Sequence, residues 1–163
     1  MDWYVRGIII YGDNDITRSV SLGPGVNIIT GDSKTGKSAL IPIIDYCLGA
    51  KDYEVPVGVI REFTRWYAIV LQTKEWQIFL ARKAPGQRLA SSTMHIIIEQ
   101  EVQIPPISEL SGNSNRDAVV EELSRRLGMM DWSLAKSVYD TSYTEPPTAR
   151  NVVSFLFQPQ NVI

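Results

Sequence analysis

The stretch Gly31-Asp32-Ser33-Lys34-Thr35-Gly36-Lys37-Ser38 decides the fold of this chain. It fits the pattern G-x-x-x-x-G-K-[ST], in which a glycine-rich loop turns its backbone amides around a phosphate chain. An apolar run over residues 26–30 leads into the loop, and a helix-like pattern over residues 39–48 leads out of it. This order of strand, loop and helix is the setting that the pattern requires, so the sequence predicts a phosphate-binding loop.

The residue types in the loop suit a nucleoside triphosphate. Gly31 and Gly36 allow backbone angles that a side chain would forbid, and the following helix adds the positive end of its dipole. Lys37 is expected to reach the β- and γ-phosphates, and the Ser38 hydroxyl to ligate Mg²⁺. The sequence therefore predicts ATP and Mg²⁺ as cofactors, bound by Gly31, Asp32, Ser33, Lys34, Thr35, Gly36, Lys37, Ser38 and Ala39.

Composition limits the class of protein. The chain has 163 residues, of which 44% are hydrophobic, and its net charge is −2, which fits one globular domain with its own core. The single cysteine, Cys47, excludes an intrachain disulfide, and we expect it to be buried and unreactive. No apolar run is long enough for a membrane span, and the first residues do not resemble a signal peptide, so we expect a cytoplasmic protein.

The remaining elements predict a mixed α/β (α+β) fold without regular β-α-β alternation. Glycine and proline turns separate strand patterns that we expect to form two hairpins, and Gly128 ends one helical pattern. Residues 50–63 read as irregular. The expected strands are 5–11, 16–22, 66–71, 76–82 and 94–99, and the expected helices are 39–48, 116–127, 131–141 and one that begins after Thr148 and ends before Pro159.

Two segments of the chain resemble an ABC-type ATPase head of the SMC and RecN superfamily. The first is Gly25-Val26-Asn27-Ile28-Ile29-Thr30-Gly31 through Lys37-Ser38, with the helix ending at Leu48-Gly49. The second is Phe157-Gln158-Pro159-Gln160, which is similar to the glutamine loop of these heads. Asp32-Ser33 and Pro42 depart from the usual pattern and indicate a divergent branch. The chain looks most like a family of mostly undefined function that includes ATPase components of bacterial three-component ABC conflict systems.

The resemblance implies a fold and an activity. The fold would be a P-loop NTPase in which antiparallel hairpins flank the phosphate-loop strand and helix, with residues 1–163 as the N-terminal lobe of the head. The activity would be Mg²⁺-dependent ATP hydrolysis by two heads that dimerise around ATP, acting on DNA or in defence against phage. Lys37 and Gln158 would serve catalysis, and Ser38 and Gln158 would hold the metal, with Gln160 as the alternative glutamine.

Three parts of such a head are not found in the sequence: the signature segment, the apolar strand that ends in Asp-Glu, and the switch histidine. Leu110-Ser111-Gly112-Asn113 is similar to a signature but precedes the glutamine loop, and His95 reads as a structural residue with satisfied hydrogen bonds. The chain stops at Ile163, where this superfamily enters its coiled coil. We therefore expect a C-terminal lobe, in the same or a partner chain, to supply the missing motifs.

Other interpretations stay open. The chain could gate assembly by binding ATP with little hydrolysis, because the catalytic glutamate is absent, whereas a P-loop small-molecule kinase is disfavoured by the lack of β-α-β alternation. Arg61 or Arg65 could contact nucleotide, as an arginine in this region does in SMC heads, although a solvated role is commoner. The cluster of Arg82, Lys83 and Arg88 could contact DNA, but we expect it to lie on a solvated hairpin tip.

Overall fold

A computed structural model describes residues 3–32, 35–86, 88–129 and 148–151. In this part of the chain one antiparallel sheet of six strands forms the centre, in the order β2-β1-β3-β4-β5-β6. The strands are β1 Trp3–Gly12, β2 Thr17–Ser21, β3 Thr64–Thr73, β4 Gln77–Lys83, β5 Thr93–Glu99 and β6 Ser114–Asn115. The helices are α1 Leu40–Cys47, α2 Val59–Phe63 and α3 Arg116–Arg126. The expected mixed α/β class is confirmed.

Both predicted hairpins form, and local turn chemistry closes each of them. Between β1 and β2 the chain makes a 3-10 turn in which Asn14 and Asp15 take positive φ angles of 56° and 59°, a conformation that Asn and Asp tolerate. Between β3 and β4 the Thr73 hydroxyl accepts a hydrogen bond from the Trp76 amide at 2.9 Å. The hairpins then join edge to edge, because β1 pairs with β3 along nearly its whole length.

Apolar layers cover both faces of the sheet. On one face α1 and α3 pack over side chains such as Ile8, Ile69 and Leu80. On the other face the loop of residues 100–113 covers a second apolar layer, where the Tyr11 hydroxyl donates to the Pro105 carbonyl at 2.9 Å. Burial on both faces explains why β3 and β4 read as nearly continuous apolar runs rather than as alternating strands.

The predicted strand over residues 26–30 does not form, and this expectation is wrong. Val26 and Ile28 are 93% and 83% exposed, and the segment has no strand beside it among the described residues. The Asn27 side chain instead closes a turn, since it accepts from the Gly23 amide at 2.9 Å and donates to the Gly23 carbonyl at 2.8 Å. A strand needs a neighbour to satisfy its backbone, so an apolar run alone does not produce one.

Residues 50–63 were expected to be irregular, but they contain the short helix α2. The helix follows Gly58, and its end is fixed by the Thr64 hydroxyl, which donates to the Ile60 carbonyl at 2.6 Å. Five residues make little more than one turn, too short for a helical period to be visible in the sequence.

The other predicted helices are confirmed where they are described. The side chain of Asn115 accepts from two amides at the start of α3, and Gly128, with a φ of 70°, follows its end. Residues 149–151 are helical after Thr148. The expected helix 131–141, the rest of the helix after Thr148, Gln158 and Gln160 lie outside the described residues. None of the helices in the described ranges has both the length and the apolar composition to cross a membrane.

His95 lies in the second apolar layer of the sheet without the hydrogen bonds that we expected for it. It is buried on β5, its ring meets the Phe79 ring edge-on, and its Nδ1 has no partner among the described residues. Burial lowers the pKa of this imidazole, and the nearby Glu109 carboxylate opposes that effect. The folded state therefore favours the neutral form of His95.

This burial predicts a pH dependence of stability. Because the pKa of His95 is lower in the folded than in the unfolded chain, the unfolded chain takes up the proton first, and stability falls as the pH drops below about 6.5. The change is measured as the urea midpoint between pH 7.5 and pH 5.5. The His95→Gln variant cannot titrate there and should lose less stability over this range. An equal loss in both proteins would contradict the assignment.

Candidate phosphate-binding loop

Motif residues 35–38 form a turn that leads directly into α1, as the pattern predicts. Gly36 has a φ of 87°, which is left-handed backbone that favours glycine. Residues Lys37–Ala39 then make a 3-10 turn, in which the Ala39 amide donates to the Gly36 carbonyl at 3.0 Å, and α1 begins at Leu40. Ser33 and Lys34 of the motif lie outside the described residues.

The ammonium group of Lys37 lies inside the curve of this loop. It donates to the carbonyls of Gly31 and Asp32, each at 2.6 Å, and to the Thr35 hydroxyl at 3.1 Å. The Thr35 hydroxyl in turn donates to the Asp32 carbonyl at 2.8 Å. The loop thus wraps around a positive charge held by neutral oxygens, an arrangement in which an anion could replace the carbonyls as the lysine's partner.

The rest of the donor set also suits a phosphate chain with its metal. Ser38 is exposed at the start of the helical segment, next to Lys37. The loop precedes the amino end of that segment, where the helix dipole favours negative charge. Among the described residues no group of three or more His, Cys, Asp or Glu side chains could hold a metal ion by itself.

Helix α2 supports the loop from one side, which the sequence did not reveal. A Cβ atom on Gly36 would lie 2.5 Å from the Cδ1 atom of Ile60, so Ile60 fills the space next to this glycine. At the other end of α2, the Phe63 ring packs against Gly12 of β1 and fills the space that a side chain at position 12 would need.

The carboxyl end of α1 is anchored by Arg82 of β4, which is only 1% exposed. Its Nη1 donates to the carbonyls of Tyr46 and Ala50 at 2.8 and 2.7 Å, and its Nε donates to the Ser91 carbonyl at 2.7 Å. The guanidinium also stacks 4.0 Å from the centre of the Tyr46 ring. Burial lowers the pKa of Arg82, and the nearby Tyr46 opposes that effect. The expectation that Arg82 lies on a solvated basic tip is therefore wrong.

Two further arginines bind the same end of α1. Nε of Arg116 donates to the Gly49 carbonyl at 2.7 Å. Arg150 forms a two-pronged ion pair with Asp45 at 2.8 and 2.9 Å, which joins α1 to residues 148–151. Cations at the carboxyl end of a helix oppose its dipole and satisfy its last carbonyls, so this end is fixed more firmly than packing alone would fix it.

The remaining candidate residues have other roles in the structure. Arg65 pairs with Asp13 at 2.6 Å, and Arg61 stacks 4.3 Å from the centre of the Tyr53 ring. Cys47 is fully buried, as expected, and burial raises the pKa of its thiol. In the signature-like segment, the Asn113 amide bonds to both backbone groups of Ile96 on β5, which is a structural role.

Comparison of the chain with protein-family models, with curated proteins and with solved structures found no match. What the chain does is therefore inferred from the loop and from its surroundings.

The Arg82 anchor predicts a large loss of stability on truncation. Arg82→Ala removes three hydrogen bonds to carbonyls, two of them buried, and opens a cavity under α1, so we expect the free energy of unfolding to fall by about 3 kcal/mol. The matched control is Arg88→Ala, which removes an exposed arginine and should change stability by less than about 0.5 kcal/mol. Urea unfolding measures both values, and a loss of similar size in the two variants would contradict the assigned role.

Proposed function

We propose that the chain binds Mg²⁺-ATP through Gly31–Ser38 and hydrolyses it as half of an SMC-like ATPase head. The observation that carries the proposal is the ammonium group of Lys37, which the loop surrounds with carbonyl and hydroxyl oxygens. The oxygens that surround Lys37 in the described part of the loop are neutral and exposed. The charged oxygens of a triphosphate are stronger acceptors for the three N–H groups of the Lys37 ammonium than these neutral oxygens are.

In this proposal each loop residue has a role in holding the nucleotide. Lys37 leaves its carbonyl partners and contacts the β- and γ-phosphates, while amides of the loop contact the phosphate oxygens. Ser38 ligates Mg²⁺, and Gln158, which lies outside the described residues, would complete the metal site. The carboxylate that activates water would come from a second lobe, since the Asp-Glu motif is absent from the sequence.

The exposed residues next to the loop support a partner lobe. Val26 and Ile28 expose their apolar side chains in the segment that precedes Gly31. If this segment were a strand, Val26 and Ile28 would lie on one face and Ile29, which is 41% exposed, on the other, and apolar side chains on both faces are typical of strands that are covered on both sides. We infer that this segment becomes a strand when a C-terminal lobe, of the same or a partner chain, supplies the neighbouring strand. A second head, forming a homodimer around ATP, would complete the enzyme.

The biological setting follows from the resemblance only. DNA as a partner, defence against phage and a cytoplasmic location are part of the proposal on that ground. The basic cluster does not support DNA binding, because the Arg82 side chain is buried, where it bonds to the Ser91 carbonyl and stacks on the Tyr46 ring.

Nucleotide-gated assembly with little hydrolysis is a second candidate. It is favoured by the absence of the Asp-Glu motif from the sequence, since binding needs only the loop. A small-molecule kinase is a weaker alternative, because all the strand pairs of the described sheet are antiparallel. Phosphate release by the chain together with its second lobe distinguishes hydrolysis from gating.

Removal of the loop lysine tests the proposal directly. Lys37→Ala eliminates the charge-assisted bonds to phosphate and should weaken binding of Mg²⁺-ATP by about 2–3 kcal/mol, or roughly 30- to 150-fold. Lys83→Ala, which removes an exposed lysine from the end of β4, should leave the affinity unchanged. Fluorescent ATP titration gives both constants. If Lys37→Ala binds ATP as tightly as the unaltered chain, the loop is not the nucleotide site.

The proposed partner surface predicts self-association of the isolated chain. Exposed apolar residues next to unpaired backbone favour association, so the double variant Val26→Thr, Ile28→Thr should have a smaller weight-average mass in sedimentation experiments. Leu89→Thr, at an equally exposed position away from the loop, serves as the control and should change little. Equal masses for the double variant and the unaltered chain would argue against this surface.

A further inference from the structure

Ile60 of helix α2 contacts the candidate phosphate-binding loop at Gly36. A Cβ atom added to Gly36 would lie only 2.5 Å from the Cδ1 methyl of Ile60, closer than two carbon atoms can pack. Ile60 therefore blocks the space that a side chain at position 36 would need. Gly36 is the residue whose left-handed φ of 87° turns the chain from the loop into the helical segment. Lys37 is the next residue, so the direction of this turn determines where the lysine side chain begins.

Contacts outside the loop also hold α2 in place. The Thr64 hydroxyl at the start of β3 donates to the Ile60 carbonyl at 2.6 Å. The Phe63 ring fits over Gly12 of β1, and the Arg61 guanidinium stacks on the Tyr53 ring at 4.3 Å. Ile60 itself also packs against the apolar layer under α1. The sheet therefore holds α2 in place, and α2 presents Ile60 to the loop from a fixed support.

This support matters because most of the described loop residues are exposed and bond mainly to one another. Asp32 and Thr35 are exposed, and the bonds around the Lys37 ammonium are made within the loop itself. Those bonds would be given up when the lysine turns to a phosphate. The Ile60 contact with Gly36 is independent of the lysine and can persist after the nucleotide binds.

We propose that Ile60 is a positioning residue for nucleotide: it blocks the space beside Gly36 and so keeps the loop in its turn before ATP arrives. The ligand named here rests on the proposed function. A loop that is already ordered loses less conformational entropy on binding, so the contact increases affinity without touching the nucleotide.

The test uses three variants with two measurements. Ile60→Ala removes the Cδ1 contact, whereas Ile60→Leu keeps a branched side chain of the same size. Phe63→Leu is the control, because it alters packing of the same helix on Gly12 without altering the contact with Gly36. The measurements are hydrogen exchange of the amides of residues 36–39 without nucleotide, and the affinity for a Mg²⁺-bound non-hydrolysable ATP analogue, both well below the unfolding temperature.

Ile60→Ala should speed hydrogen exchange of the Ala39 amide, which donates to the Gly36 carbonyl. It should also weaken binding of the analogue by about 3- to 10-fold. Ile60→Leu should restore both values most of the way. Phe63→Leu should lower the melting temperature but change neither value.

Unchanged exchange in Ile60→Ala, or equal changes in Ile60→Ala and Phe63→Leu, would overturn the role of Ile60. If the unaltered chain does not bind the analogue, the proposed function fails, while the exchange rates still decide whether Ile60 orders the loop.

Discussion

The placement of helix α1 depends on one buried guanidinium, that of Arg82. The side chain extends from the middle of the sheet, and its three hydrogen bonds end on carbonyls around the end of α1 and the segment that follows β4. A buried cation is tolerated only when its donors are satisfied, and here neutral carbonyls, the negative end of the helix dipole and the Tyr46 ring satisfy it together. The register of β4 therefore determines where α1 ends, and the rigid helix determines where the loop at its other end begins.

The two ends of α1 are held by different means. At the carboxyl end the arginines and the fully buried Ile43 and Cys47 fix the helix to the core. At the amino end the loop is exposed, and it is ordered by its own lysine and by Ile60. The carboxyl end of α1 is thus fixed to the core, while the bonds of Lys37 at the amino end can be exchanged. This combination suits a site whose hydrogen bonds change when an anion binds.

Much of the fold was predictable from local patterns. The two hairpins, β5, α1 and α3 follow from apolar periodicity and from turn and stop residues such as Gly128, because these signals act over a few residues. The strand over residues 26–30 was predicted wrongly, since a strand also needs a neighbour that the apolar run does not specify. Arg82 was misplaced because Lys83 and Arg88 made it look like part of a surface cluster. Its alternation with Ile78 and Leu80 on β4 was the signal that could have placed it inside.

The candidate site was predictable only in part. The motif predicted the turn at Gly36 and the helix after it, because these depend on glycine and on local sequence. The support from Ile60 and the link between Asp45 and Arg150 depend on which distant elements meet, and no local pattern encodes that. The same reason applies to Nδ1 of His95, which has no partner in the described part of the chain, because its surroundings come from β4 and from the loop over the sheet.

The central claim is that the loop of residues 31–38 holds the phosphates of a nucleotide. The most direct measurement is a titration of the isotope-labelled chain with Mg²⁺-ATP, followed through its backbone amide resonances. If the loop binds the phosphates, the shifts are saturable and largest for Gly31, Gly36, Lys37 and Ser38, with smaller shifts on β5 and α3. Saturable shifts confined to other parts of the chain, or no shifts at millimolar ATP, would contradict it.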